Sequence, residues 1–102
     1  LSLVFMSFNG FLKYFQSMAM NYYQDKKFDQ AIPLFENIIN YYPIKKGKYH
    51  AYLSECYYLG LNDEDKALEY FCNAETIIPD NNKVKELKRE LIKNGLKIDC
   101  NN

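Results

Sequence analysis

The feature that most narrows what this chain can become is an internal echo. Ala31, Phe35 and Pro43 recur 36 residues later as Ala67, Phe71 and Pro79. Phe15, Met18, Ala19 and Tyr22 recur 35 residues later as His50, Leu53, Ser54 and Tyr57. Self-similarity at a period of roughly 20–50 residues marks stacked helical or sheet units, each burying its apolar face against a neighbour. Within each copy the apolar residues keep helical spacing on both sides of a polar break, so each copy reads as two helices joined by a turn. Small residues, Ala19 and Ala31, stand where the two helices of the first copy must approach closely.

The spacing predicts a first helix over about residues 11–24, with Phe15, Met18, Ala19 and Tyr22 on its buried face and Asp25-Lys26-Lys27 as the turn. A second helix over residues 28–41 buries Phe28, Ala31, Ile32, Phe35, Ile38 and Ile39. Pro33 is expected within a residue or two of that helix's start, where a missing N–H costs least. Pro43 ends the unit, because the residue before a proline is biased out of the helical region. In the second copy Asn62 or Asp63 caps the fourth helix, Glu64 and Asp65 favour its first turn, and Ala67, Leu68, Phe71, Ala74 and Ile78 form its stripe. A last helix from Lys83 carries Val84, Leu87 and Leu91 on an otherwise charged surface, with Gly95 as its C-cap. Residues 96–102 are expected to be frayed or loosely packed.

The order Phe15, Met18, Ala19, Tyr22, then Ala31 and Phe35, then Pro43 resembles one unit of the tetratricopeptide repeat family, W-x2-L-G-x2-Y, A-x3-F and P. Phe15 stands for the Trp and Ala19 for the Gly. The second copy departs further, with His50 at the first aromatic, Ser54 at the small residue and Glu64 at a usual aromatic place. The family period is about 34, so the second copy carries one extra residue near Lys45-Lys46-Gly47 and one in Gly60-Leu61-Asn62, both in turns. The resemblance implies an all-α superhelix of two repeats, residues 12–45 and 46–81, with a capping helix and tail over 82–102. Residues 1–11 form an apolar extension.

The resemblance also implies a non-catalytic interaction module that holds a peptide or helix of another protein in the concave face made by the first helix of each repeat. The groove residues would be Lys13, Gln16, Met20 and Tyr23, then Lys48, Ala51, Tyr52, Glu55 and Tyr58. Tyr offers a rigid amphipathic ring and Met a pliable thioether, both favourable at contacts. Packing between neighbouring helices is the competing role for each of these tyrosines. One subgroup of the family clamps a C-terminal carboxylate with Lys, Asn and Arg. The corresponding places here hold Gln16, Met20, Tyr52, Lys83 and Leu87, so that mode is not expected, and the Lys-rich last helix reads as a solvated face.

Thirteen basic and thirteen acidic residues cancel to zero net charge, which removes the electrostatic footprint of a nucleic-acid binder. His50 is the only histidine, no CxxC pair exists and no Gly-rich phosphate loop is present. No metal, cofactor or enzymatic activity is therefore expected. Cys56, Cys72 and Cys100 read as free thiols of a reducing compartment, Cys56 in the core and Cys72 nearer the surface. The segment Leu1–Phe8 is apolar but too short to span a bilayer and lacks a basic start, so neither membrane span nor signal peptide is assigned. It reads as an extension of the first helix or cover for an exposed end of the stack. The alternative is a surface for homo-oligomerisation or docking, which would make the chain a self-assembling structural unit or part of a longer array. The chain opens without Met and reads as starting inside a longer product or with leftover added sequence. The run from Tyr22 to Ile32 is similar to repeats of cytosolic proteins and of bacterial envelope-assembly lipoproteins, with the cytoplasm as the first expectation and the envelope as the alternative.

Overall fold

A computed structural model describes the backbone of residues 2–41 and 47–101, with side chains from Leu12 onward within those ranges. Five helices follow one another: α1 (Ser2–Gln24), α2 (Phe28–Tyr41), α3 (Gly47–Leu61), α4 (Glu64–Ile77) and α5 (Asn82–Lys93). Among the described residues there is no strand. α1 packs on α2, α2 on α3, α3 on α4, and α5 against both α3 and α4, which is the neighbour-to-neighbour order of an all-α helical-repeat solenoid.

Local chemistry sets the helix ends. α1 stops in a Schellman turn: the Lys27 N–H donates to the Tyr22 carbonyl at 2.8 Å and the Lys26 N–H to that of Tyr23 at 3.0 Å, with Lys26 left-handed at φ 61°. Asp63 caps α4 by accepting from the Lys66 N–H at 3.0 Å, while the neighbouring Asn62 absorbs the left-handed turn at φ 53°. Asn81 caps α5 by accepting from the Lys83 and Val84 N–H groups at 2.8 and 3.2 Å. Gly95, at φ 90°, closes α5 as foreseen: the Leu96 N–H reaches the Leu91 carbonyl at 3.0 Å, completing a second Schellman motif.

The echoed positions occupy matching places in the core. Ala19, Ala31 and Phe35 in the first hairpin and Ser54, Ala67 and Phe71 in the second are all fully buried. Ser54 is tolerated there because its Oγ donates to the Ala67 carbonyl at 2.6 Å, satisfying the one polar atom it brings inside. Gly60 matters for the close approach of α3 to α2: a Cβ there would lie 2.5 Å from the Phe28 Cβ.

Several expectations need correcting. Helix α1 begins at Ser2 rather than near Phe11, which bears out the reading of the apolar start as an extension of the first helix; the proposed contacts of Leu1–Phe8 and the break at Pro43 lie outside the described residues. Pro33 sits in the sixth position of α2, not beside its start. Both Pro33 and Asp29, whose carbonyl loses the partner, are exposed, so water takes the bond. A proline interior to a helix costs about 3 kcal/mol, whereas burying Ala31, Ile32, Phe35 and Ile38 on the opposite stripe contributes more than that at about 1.5–3 kcal/mol for each large side chain. The tail is not frayed. Leu96 is buried, Ile98 packs beside it on the cluster of Phe71, Val84, Leu87 and Leu91, and Cys100 is joined to Cys72 by a disulfide across a separation of 28 residues. The free-thiol expectation holds only for the buried Cys56.

Candidate functional site

The inner face is assembled by the first helices of the two hairpins and by α5. Tyr23, near the end of α1, places its ring edge-on to Tyr52 of α3 at 4.8 Å, and Tyr52 stacks on the core ring of Phe35 at 5.5 Å and 15°. The Tyr23 hydroxyl donates a short hydrogen bond to Glu55 Oε1 and accepts one from Lys83 Nζ at 2.8 Å. Lys83 Nζ also lies 2.7 Å from Glu55 Oε1, so one residue from each of α1, α3 and α5 meets in a single polar bridge. Lys83 further covers the faces of Tyr23 and Tyr52 at 5.4 and 5.8 Å.

Electrostatics follow from this enclosure. Burial pushes the Tyr23 hydroxyl up to about 12, reinforced by the Glu55 carboxylate that accepts its proton. Burial alone would pull Lys83 down, but its bonds to Glu55 and Tyr23 outweigh that and hold it at about 12. At neutral pH the bridge is therefore a charged lysine, a carboxylate and a neutral phenol, internally neutralised. Its ends are open: Lys13 and Lys48 are exposed on one side, and Glu55, Tyr58, Lys83 and Glu86 border a recess of about 130 Å³ on the other.

Of the residues expected in the groove, Gln16, Tyr23, Tyr52 and Glu55 form one connected set, tied from behind by the buried Tyr49, whose hydroxyl Gln16 hydrogen-bonds. Tyr58 extends it through the recess. Lys48 lies over the Tyr49 ring at 5.2 Å, at the edge. Met20 packs on the first core cluster, and Lys13 stands exposed without joining the tyrosine row. Ala51 is no groove residue. It is fully buried against Phe71, Val84 and Leu87, on the side of α3 that faces the later helices.

Sequence reasoning missed Tyr49 and misjudged Lys83. Tyr49 is buried among the rings of Phe35 and Tyr52. Lys83 was assigned to a solvated face, and nothing periodic could have corrected that, because its partners are 28 and 60 positions upstream. The opposite side carries a second network, where Glu36 Oε2 accepts from Tyr57 at 2.7 Å and from Tyr70 at 3.1 Å. Burial raises both hydroxyls, Tyr70 to about 12, and it lowers His50, whose ring lies 5.7 Å from that of Tyr70.

Among the described residues no His, Cys, Asp and Glu side chains cluster closely enough to hold a metal, and no helix is long and apolar enough to cross a membrane. Packed helical hairpins whose first helices share an aromatic, partly polar inner face define a helical-repeat scaffold. Residues 16–43 match the family model described as Tetratricopeptide repeat, which supports a tetratricopeptide reading of this stretch. Tetratricopeptide repeats generally serve as protein-interaction scaffolds and are typically non-catalytic. Comparison with curated proteins and with solved structures finds no match.

Proposed function

We propose that the inner face of α1, α3 and α5 binds a peptide or helix of another protein, and that the chain is a non-catalytic scaffold. The observation that carries this reading is the row Tyr52 and Tyr23, fixed by ring contacts, by the buried Tyr49 packed behind Tyr52 and by the Glu55–Lys83 bridge before any partner arrives. Rings held in advance lose little entropy on binding, which is what makes tyrosine effective at contacts. Lys13, Gln16, Met20, Lys48 and Tyr58 would flank the row. On this reading residues 12–45 and 46–81 are two successive repeats, and residues 82–102 form the capping helix and tail.

The test is selection from a displayed peptide library. Peptides enriched on the intact chain lose affinity about tenfold or more on Tyr58→Ala or Lys48→Glu and keep it on Glu69→Lys, on the exposed side of α4. Selected peptides indifferent to both inner-face variants would defeat the reading. A second reading, self-association through α1, draws support from the apolar run Leu1–Phe8 and from the continuation of the helical backbone back to Ser2. Sedimentation across a concentration range decides it, a monomer at every concentration being the contrary result. We further place the working chain in a compartment where disulfides persist, because Cys72 and Cys100 are joined. That favours the envelope over the cytoplasm.

A further inference from the structure

The inner face already holds one cation. Lys83 reaches from α5 to Glu55 at 2.7 Å and lies over the rings of Tyr23 and Tyr52, so this lysine has a carboxylate for its ammonium and aromatic surface for its stem. Beside that pair α3 and α5 enclose the recess of about 130 Å³. Helical spacing makes its two walls. Glu55, Tyr58 and Leu59 stand three and four positions apart on α3, and Lys83, Glu86, Leu87 and Glu90 keep the same spacing on α5. Apolar surface comes from Tyr58, Leu87 and Leu59, the last of which is 52% exposed. Charge comes from the rim. Lys83 takes up Glu55, whereas among the described residues the exposed Glu86 and Glu90 have no ion-pair partner. Arg89 and Lys93 border the outer side of those two carboxylates without coming within ion-pair distance. The recess thus repeats the two elements that hold Lys83, carboxylate and apolar surface, with its own carboxylates left open.

We propose that this recess takes a lysine or arginine side chain of the partner peptide, its stem along Tyr58, Leu59 and Leu87 and its cationic head between Glu86 and Glu90. This rests on the inner face being a peptide site, as proposed above, and names the chemistry that site selects. Size and charge together choose the occupant. A volume of about 130 Å³ is below the roughly 300–1,000 Å³ of a pocket for a drug-sized ligand and suits a single side chain. A purely apolar side chain would desolvate two carboxylates and give them no partner, and an acidic one would meet like charge. A basic side chain supplies the ion pairs and still covers the apolar wall with its stem. Lys83 also limits where the attraction acts. Because it neutralises Glu55, the open charge lies one to two turns further along α5, roughly 5–10 Å from Lys83.

The experiment uses the full chain and the peptides selected on it from a displayed library. Sequencing should find lysine or arginine enriched at one peptide position, and replacing that residue by Met in a synthetic peptide should weaken binding about five- to tenfold, the scale of one or two partly screened ion pairs. Glu86→Gln combined with Glu90→Gln should weaken the basic peptide by the same factor and leave the Met peptide unaffected. Both glutamates are exposed and outside any ion pair, so the variant keeps the fold. Added salt should narrow the gap between the two peptides on the parent chain. Peptides that lose affinity on Lys48→Glu, which lies outside the recess, yet carry no basic residue or bind the double Gln variant equally well, would overturn the recess proposal and leave the inner face as a peptide site. Peptides indifferent to Lys48→Glu, Tyr58→Ala and the double Gln variant alike would overturn both.

Discussion

Replacing Glu55 by Gln removes the charge at the centre of the bridge and leaves its shape. Lys83 and Glu55 are 28% and 22% exposed, so water screens them only in part. The rise of Lys83 from 10.5 to about 12 corresponds to about 2 kcal/mol in favour of the charged form, net of the cost of burying it. Glu55 and Tyr23 share that stabilisation, and pairs at the fully exposed limit are worth at most about 1 kcal/mol. The Lys83–Glu55 coupling is therefore about 1–1.5 kcal/mol, above the surface value and well below the 3–5 kcal/mol, roughly, of breaking a fully buried pair. We expect Glu55→Gln to destabilise the chain by about 1.5–2 kcal/mol and Lys83→Met by about 1–2 kcal/mol, with the double variant little worse than either. At about 4–8 °C per kcal/mol for a domain of this size, each single variant melts roughly 5–15 °C lower. The assay is a double-mutant cycle by urea unfolding at neutral pH. Strict additivity, with a coupling below about 0.3 kcal/mol, would refute the claim that the bridge ties α1, α3 and α5 together.

Three further outcomes follow from the same geometry. The phenols of Tyr23 and Tyr70 titrate near 12 and Lys83 near 12 when folded, each above its unfolded value, so the stability they supply is complete below about pH 10 and is lost as pH rises toward 12; alkaline difference spectroscopy should show unfolding coincident with tyrosinate formation, and ordinary titration near 10 in a folded chain would contradict it. Gly60→Ala puts a Cβ 2.5 Å from the Phe28 Cβ, which is anchored to the backbone and has nowhere to turn. The overpacking cost of about 1–3 kcal/mol exceeds the helix-propensity gain of up to about 1 kcal/mol, so the variant should melt lower, and a higher melting temperature would show that α2 yields freely. Cys100→Ser opens a loop of 28 residues, which on chain entropy lowers stability by about 3–4 kcal/mol relative to the oxidised parent; equal urea midpoints would deny the bond any role in stability.

The helices and their core faces were legible because burial and period agree. Phe35 and Phe71, with Ala31 and Ala67 four residues before them, repeat at a spacing a helix accommodates, and the caps at Asp63 and Gly95 act through neighbours only a few positions away, as does the unforeseen cap at Asn81. Pro33 went astray because a local rule, proline near a helix start, was outweighed by a packing term that depends on α1 and α3. The bridge and the disulfide were invisible for a related reason. Lys83 meets Tyr23, and Cys72 meets Cys100, only after the chain has folded across whole helices, and an isolated lysine or an odd cysteine count carries no sign of its partner. Ala51 shows the limit of helical-wheel reasoning, since its neighbour Tyr52 lines the inner face while Ala51 itself faces the second core.

The central claim is that the inner face of α1, α3 and α5 is where a partner protein lies. Amide chemical-shift mapping on addition of a library-selected peptide tests it most directly. The account predicts perturbations along Gln16, Met20 and Tyr23, then Lys48, Tyr52, Glu55 and Tyr58, and at Lys83, with α4 and the tail little changed. Perturbations concentrated on Tyr57, Glu69 and Tyr70 on the opposite side, or on residues 96–101, would contradict it.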